Sequence, residues 1–211
     1  MKDYILEHPF FYRLYQSIVR KKKHEYHFFN YIFSQISQDT EIRLLDICSG
    51  DSHVLNYISN YLKNYIGVDF NNKYLKNLTT KWPKFTFLNL DVTDKNTLNV
   101  LKKFNPNFIF MNGAIHHLSN ETMHSIKSLI INFKDSYFLS VDPVNDKNKL
   151  VNRIMINNDR GKFIRKPEEY KVIMNEFDNF IIDDFYIMSF QNIFHSKNIN
   201  LKKLYKEWQN L

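Results

Sequence analysis

The chain predicts an α/β fold: a doubly wound, mostly parallel seven-stranded sheet with a helical cap at its N-terminus. Three observations predict it. From Ile42 onward, short apolar runs alternate with amphipathic segments, the pattern of a parallel sheet wrapped on both faces. The run Leu44-Leu45-Asp46-Ile47 ends in a tight turn, Cys48-Ser49-Gly50-Asp51, and the next apolar run closes on Asp69, 23 residues beyond Asp46. That interval suits the strand, turn, helix and strand of one βαβ unit. Finally, 19 Phe and 13 Tyr beside only four Gly in 211 residues call for a packed globular core, long enough for one domain and too short for two full-sized ones.

Taken in order, residues 3–38 read as two helices. Phe10, Phe11, Leu14 and Ile18, then Tyr26, Phe29, Tyr31 and Ile32, recur at near-helical spacing around a lysine run. Strands follow over 42–47, 65–69, 85–90, 108–111 and 137–141, with helices between them. The apolar patch at Leu150, Val151, Ile154 and Met155 reads as a short helix leading into a loop through Asp159-Arg160-Gly161. Pro167 followed by Glu168 and Glu169 starts a helix to about 177, because proline fits the first turn and acids favour its dipole. Two further strands, over 180–188 and 193–195, read as antiparallel to each other, and residues 201–211 as an amphipathic helix. The chain divides into a cap (1–38), a central core (39–195) and a C-terminal helix (196–211) within one domain.

Composition narrows the function classes. The single cysteine, Cys48, excludes an internal disulfide framework and fits a reducing compartment. Within the turn it reads as a small packing residue ahead of a nucleophile. No apolar run reaches the eighteen or so residues of a membrane span, and the N-terminus lacks a signal-peptide apolar region, so a cytoplasmic protein is expected. The formal charge of +7 sits partly in short clusters such as residues 20–23, which a solvated helix face explains better than an anionic partner does.

Two carboxylates at neighbouring strand ends constrain the cofactor. A dinucleotide site wants G-x-G-x-x-G so that the backbone can approach a pyrophosphate. Here those slots hold Cys48, Gly50 and His53, so NAD is disfavoured. S-adenosylmethionine (SAM) has no phosphate; one acid can hold its ammonium group and a second its ribose hydroxyls, and the acid-Gly-acid pattern fits it better.

In this order the motifs resemble the class I SAM-dependent methyltransferases over about residues 40–195, most nearly the small bacterial type of polysaccharide or secondary-metabolite settings. They are Leu45-Asp46-Ile47-x-x-Gly50, Tyr65-Ile66-Gly67-Val68-Asp69, Leu90-Asp91-Val92, Asn112-Gly113-Ala114-Ile115-His116-His117-Leu118, Val141-Asp142-Pro143-Val144, and Asp159-Arg160-Gly161 to Arg165-x-Pro167-Glu168-Glu169-Tyr170. The resemblance implies a Rossmann-like methyltransferase fold. It implies that Asp46 and Gly50, with Cys48 between them, line the methionine end of SAM. Asp69, with Phe70 beside it, would grip the ribose diol, Asp91 and Val92 would lie at the adenine, and Asn112 and Gly113 would floor the sulfonium. Cys48 and Ser52 stand where the family usually has glycine. Each acid also has a plainer reading, and Asp91-Val92-Thr93-Asp94 equally suits a turn with a helix N-cap at Asp94.

His116 and His117 are expected at the lip where the methyl group points. A histidine there can accept a proton from the substrate, its ordinary pKa of about 6.5 lying near working pH. The alternative is that one packs while the other pins a loop. Metal binding is disfavoured, since adjacent histidines on a helix point in different directions and no H-x-x-x-H is present. Arg160 and Arg165 are candidates for holding a substrate carboxylate or phosphate, and Tyr12 for the substrate side of an N-terminal lid. The expected activity is methyl transfer to a small-molecule or sugar-containing acceptor by in-line displacement. Nucleic acid is disfavoured as acceptor, because the Asn/Asp-Pro-Pro-aromatic signature of base-amino methylation is missing after strand four. A non-catalytic SAM-binding protein is the third reading.

Overall fold

The computed structural model describes residues 24–146, 156–157, 159, 161–182 and 191–211. The elements are α1 (His24–Ile36), β1 (Ile42–Ile47), α2 (Leu55–Ile58), β2 (Leu62–Asp69), α3 (Asn72–Leu75), α4 (Leu78–Lys81), β3 (Thr86–Asn89), α5 (Lys95–Phe104), β4 (Phe108–Asn112), α6 (Asn120–Ile131), β5 (Tyr137–Pro143), α7 (Pro167–Ile173), β6 (Asp178–Ile182), β7 (Asn192–Lys197) and α8 (Leu201–Gln209). Short 3-10 turns lie at Ser59–Tyr61 and Ile115–His117.

The seven strands form one sheet in the order β3-β2-β1-β4-β5-β7-β6. Strands β3 through β5 are parallel, and β7 runs antiparallel to both β5 and β6. This is the predicted doubly wound α/β sheet. Strand order reverses between β1 and β4, and in such sheets a ligand crevice opens there, at the carboxyl ends of the strands.

Both faces are covered, which is why the strands read as near-continuous apolar runs. Leu44, Tyr65, Phe108, Phe110 and Val141 pack towards α1, α2 and α8, while Leu45, Val68, Ile109, Met111 and Phe138 pack towards α5, α6 and α7. The second predicted N-terminal helix is therefore core. Phe33 stacks on Phe108 at 4.5 Å between ring centroids, and Phe29 meets Phe110 edge-on at 5.2 Å. Truncating either α1 ring to alanine costs about 3–5 kcal/mol. The first N-terminal helix, with Phe10, Phe11 and Tyr12, and the short helix expected near 150–155 lie outside the described residues.

Local signals set most boundaries. Asp94 caps α5 by accepting from Asn96 N at 2.8 Å, and Ser119 caps α6 by accepting from Thr122 N at 3.2 Å. α7 opens on Pro167 as its sequence predicts, with Glu169 Oε2 accepting from Lys166 N at 2.7 Å. It ends at Ile173, earlier than expected, because Met174 leaves helical backbone (φ −106°, ψ 37°) and the chain turns into β6. β6 begins two residues before its expected start, and residues 183–190 lie outside the described set. No helix among the described residues is long and apolar enough to cross a membrane.

Candidate active site

At the carboxyl ends of the strands the candidate site is built on the turn after β1. Asp46 pairs with Gly67 of β2, and side chains alternate along a strand, so Asp69 shares the face of Asp46. Asn112 joins them, lying two residues beyond Phe110, which pairs with Asp46 from β4. The turn itself is left-handed three times, at Cys48 (φ 56°), Gly50 (φ 53°) and Ser52 (φ 48°). Only glycine adopts that region without steric cost. The backbone thus keeps a glycine-type path at Cys48 and Ser52, the two positions where the sequence departs from glycine.

Asp69 ties this turn to β2. Its Oδ2 accepts from Gly50 N at 3.0 Å and its Oδ1 from Asn71 N at 2.8 Å, leaving acceptor capacity on each oxygen. Burial raises its pKa, with the two amides working against the rise. Beside it Phe70 holds its ring 74% exposed.

Asp46 is 2% exposed, with its Oδ2 2.7 Å from the Tyr65 hydroxyl, which also lies 2.8 Å from Ser52 Oγ. Its other oxygen has no hydrogen-bond partner among the described residues. Burial pushes the Asp46 carboxyl up to about 7; the Tyr65 bond lowers it and the charge of Asp69 adds to the rise. Tyr65 reaches Asp46 because Gly67 has no side chain: a Cβ there would stand 2.9 Å from the Tyr65 hydroxyl oxygen. Tyr65 and Gly67 thus support Asp46, a part that the sequence analysis, which quotes them only within the Tyr65–Asp69 motif, does not give them. Cys48 is half-buried, and burial together with the surrounding carboxylates pushes its thiol up, keeping it a neutral packing group.

The remaining candidates line the same edge. Asp91 is exposed and folds a local turn, its Oδ1 accepting from Thr93 N at 2.8 Å and Thr93 Oγ1 at 2.6 Å, bonds that lower its pKa. The turn reading of this segment is therefore realised in the backbone, with half-buried Val92 inside it. Gly113 takes φ 63° and donates its N–H to Val141 O at 2.8 Å, bringing the end of β4 against β5.

The histidines sit in the 3-10 turn that precedes α6. His116 is buried, its Nδ1 2.7 Å from Asp142 Oδ1 and its Nε2 3.3 Å from Asp159 Oδ1. The same Asp142 oxygen accepts from His116 N at 3.0 Å. Burial alone would push the ring down, but the hydrogen bonds and charges of Asp142 and Asp159 outweigh it and hold His116 at about 9. Both ring nitrogens therefore face carboxylates, an arrangement that favours the charged ring over a base. His117 is exposed, its ring centroid 4.1 Å from that of His116 and tilted by 40°. The two rings do not diverge as expected, since a tight 3-10 turn replaces the α-helix on which that expectation rested.

A returning loop braces this turn. A Cβ at Gly161 would stand 2.0 Å from His116 Cδ2, so only glycine passes there, and Gly161 N donates to Asp159 Oδ1 at 2.6 Å. Arg165 is buried. Its guanidinium donates to Ile115 O (3.1 Å), Phe163 O (3.0 Å) and Leu118 O (2.7 Å), and twice to Asn120 Oδ1 (3.2 and 2.8 Å). All five donors are used, so Arg165 pins the histidine turn, in place of the substrate-anion contact expected of it. Arg160 and Tyr12 lie outside the described residues.

No protein-family model and no curated protein sequence matches the chain. Solved structures do match in shape. The methyltransferase domain of a bacterial Hen1 protein superposes with a TM-score of 0.60 at 10% identity, over 83% of this chain and 99% of that one. Magnesium protoporphyrin IX methyltransferase from Synechocystis PCC 6803, with bound SAH, gives 0.58 at 11% identity over 82% and 84%. Human N-acetylserotonin methyltransferase in complex with SAM gives 0.58 at 11% over 80% and 51%. The fold is that of the class I SAM-dependent methyltransferases, as the sequence motifs imply.

Proposed function

We propose that the protein is a SAM-dependent methyltransferase acting on a small-molecule or sugar-containing acceptor. The observation that carries this reading is the pairing of Asp46 and Asp69 on one sheet face at the strand-order reversal, beside an exposed Phe70 and a turn with one glycine where a phosphate would need several. The residues fit the cofactor. The unpartnered oxygen of Asp46 suits an ammonium group, and charge there would also draw the carboxyl towards its ionised form. The spare acceptor capacity of Asp69 suits a ribose diol, and Phe70 offers a face to a purine. Asp91 and Val92 would edge the adenine, Cys48 and Gly50 the methionine end, and Asn112 with Gly113 the floor.

When bound, SAM supplies a methyl group on a sulfonium that is already a good leaving group. The chain's contribution is then positioning and exclusion of water. On this reading the exposed ring of His117 would face the acceptor, held by the turn that Arg165 and Gly161 brace. Two of the structural neighbours are named for a porphyrin and for N-acetylserotonin, which supports a small acceptor.

Calorimetry with SAM, followed by a methyl-transfer screen over sugars, phenols and amines, tests the proposal. Expected are SAM binding by the wild type, its loss in Asp69→Ala, and loss of turnover with binding retained in His117→Ala. Wild-type protein that fails to bind SAM overturns the reading.

A further inference from the structure

The geometry points to a divalent transition-metal site formed by His116 Nε2, His117 and Asp159, at the lip of the crevice. One donor atom from each of the three lies within 4.8 Å of the others. Two imidazoles and one carboxylate are a donor set for zinc and its first-row neighbours.

Three features make this more than a chance cluster. His116 Nε2 and Asp159 Oδ1 are 3.3 Å apart, a long contact for an N–H···O bond. Two ligand atoms on a tetrahedral zinc, each about 2.0–2.2 Å from the metal, stand roughly 3.4 Å from one another. The 3.3 Å spacing is close to that bite, so a cation could bridge the pair with little movement. Secondly, His116 Nδ1 is taken by Asp142 Oδ1 at 2.7 Å, and Asp142 is itself 1% exposed. Metal-bound histidines are commonly oriented through their second nitrogen by a carboxylate, which leaves the other nitrogen's lone pair for the ion. Thirdly, burial is graded, with His116 buried, Asp159 half-buried and His117 exposed. The cluster opens on one side, so an ion can enter and keep a position for water or substrate, as in a catalytic zinc site.

A cation bound there takes the Nε2 lone pair, so any proton on that nitrogen is released to solvent. On the methyltransferase reading, such an ion would bind an acceptor hydroxyl at its open position and lower that hydroxyl's pKa; His117 would then act as a ligand and not as a base. The site itself stands apart from that reading.

The test is zinc binding by the full chain, freed of metal and titrated with Zn²⁺ alone by calorimetry, with Co²⁺ absorption as a second readout. Expected are one equivalent of zinc, a tetrahedral cobalt spectrum, and affinity at least tenfold weaker in both His117→Ala and Asp159→Asn. Asp142→Asn should weaken it about 10–100-fold. His117 is exposed, so its variant folds, and circular dichroism checks the others. Absence of stoichiometric binding in the wild type overturns the proposal. So does binding that both His117→Ala and Asp159→Asn retain, which would mark an adventitious ion only. A SAM titration in chelator separates the two proposals, since cofactor binding can survive loss of the metal site.

Discussion

Tyr65→Phe removes one oxygen and keeps the ring, so packing against Phe85 at 5.3 Å and Phe87 at 5.7 Å between centroids survives. What is lost is a hydroxyl 2.7 Å from Asp46 Oδ2 and 2.8 Å from Ser52 Oγ. A hydrogen bond to an ionised carboxylate contributes about 1.5–3 kcal/mol, and one to a neutral group about 0.5–1.5 kcal/mol. Asp46 titrates at about 7 in the fold against an ordinary 3.8. The folded state therefore binds more protons than the unfolded state between those values, and its stability falls as pH rises through that window. Withdrawing the bond that favours the charged form should lift Asp46 by a further one to two units, at about 1.4 kcal/mol per unit. The variant should lose about 1 kcal/mol near pH 5, where folded Asp46 is protonated, and about 2–3 kcal/mol near pH 8.5. Urea unfolding at the two pH values reads the difference. Equal destabilisation at both would refute the reasoning, because a loss of packing alone does not depend on pH.

Other substitutions address neighbouring parts of the site. Gly161→Ala places a methyl 2.0 Å from His116 Cδ2 and 2.9 Å from His116 O, so a loss of about 1–3 kcal/mol is expected in thermal or urea unfolding. Phe70→Ala removes a ring that is 74% exposed; stability should stay within about 0.5 kcal/mol while SAM affinity measured by calorimetry falls several-fold. Arg165→Lys gives up the fork that reaches four acceptors and should cost about 2 kcal/mol, with turnover reduced and SAM affinity retained.

The sheet was legible because its signals are local and period-based. Apolar runs bounded by turn residues mark β1 and β4, and Pro167-Glu168-Glu169 marks the start of α7. Asp46 and Asp69 were legible as a pair because strand register is fixed by alternation, which puts residues opposite Gly67 and two beyond it on one face. What sequence spacing does not carry is contact between distant segments. Arg165 lies 50 residues from Ile115 in the chain and still donates to its carbonyl, and Asp142 reaches His116 across 26 residues. The carboxylate contacts of His116 and the inward turn of Arg165 both follow from those crossings. The divergence expected of adjacent histidines failed for a local reason, since its premise was an α-helix and the backbone is a 3-10 turn.

The same crossings divide the crevice in two. Asp46, Asp69 and Asn112 lie on the sheet face that α1 covers. Asp142 follows Val141, a residue of that face, and so points to the opposite side, where α7 packs and the His116 turn is anchored. Tyr65 and Arg165 share no hydrogen-bond partner: one supports Asp46 and Ser52, the other the carbonyls of residues 115, 118 and 163 and the Asn120 side chain. Groups without shared partners add in free energy to within about 0.5 kcal/mol. The double variant Tyr65→Phe/Arg165→Lys should therefore show the sum of the single losses in urea unfolding at one pH. A coupling above about 1 kcal/mol would mean that the two acidic centres communicate through the end of β4, and that substitutions around Asp46 cannot be read independently of those around His116.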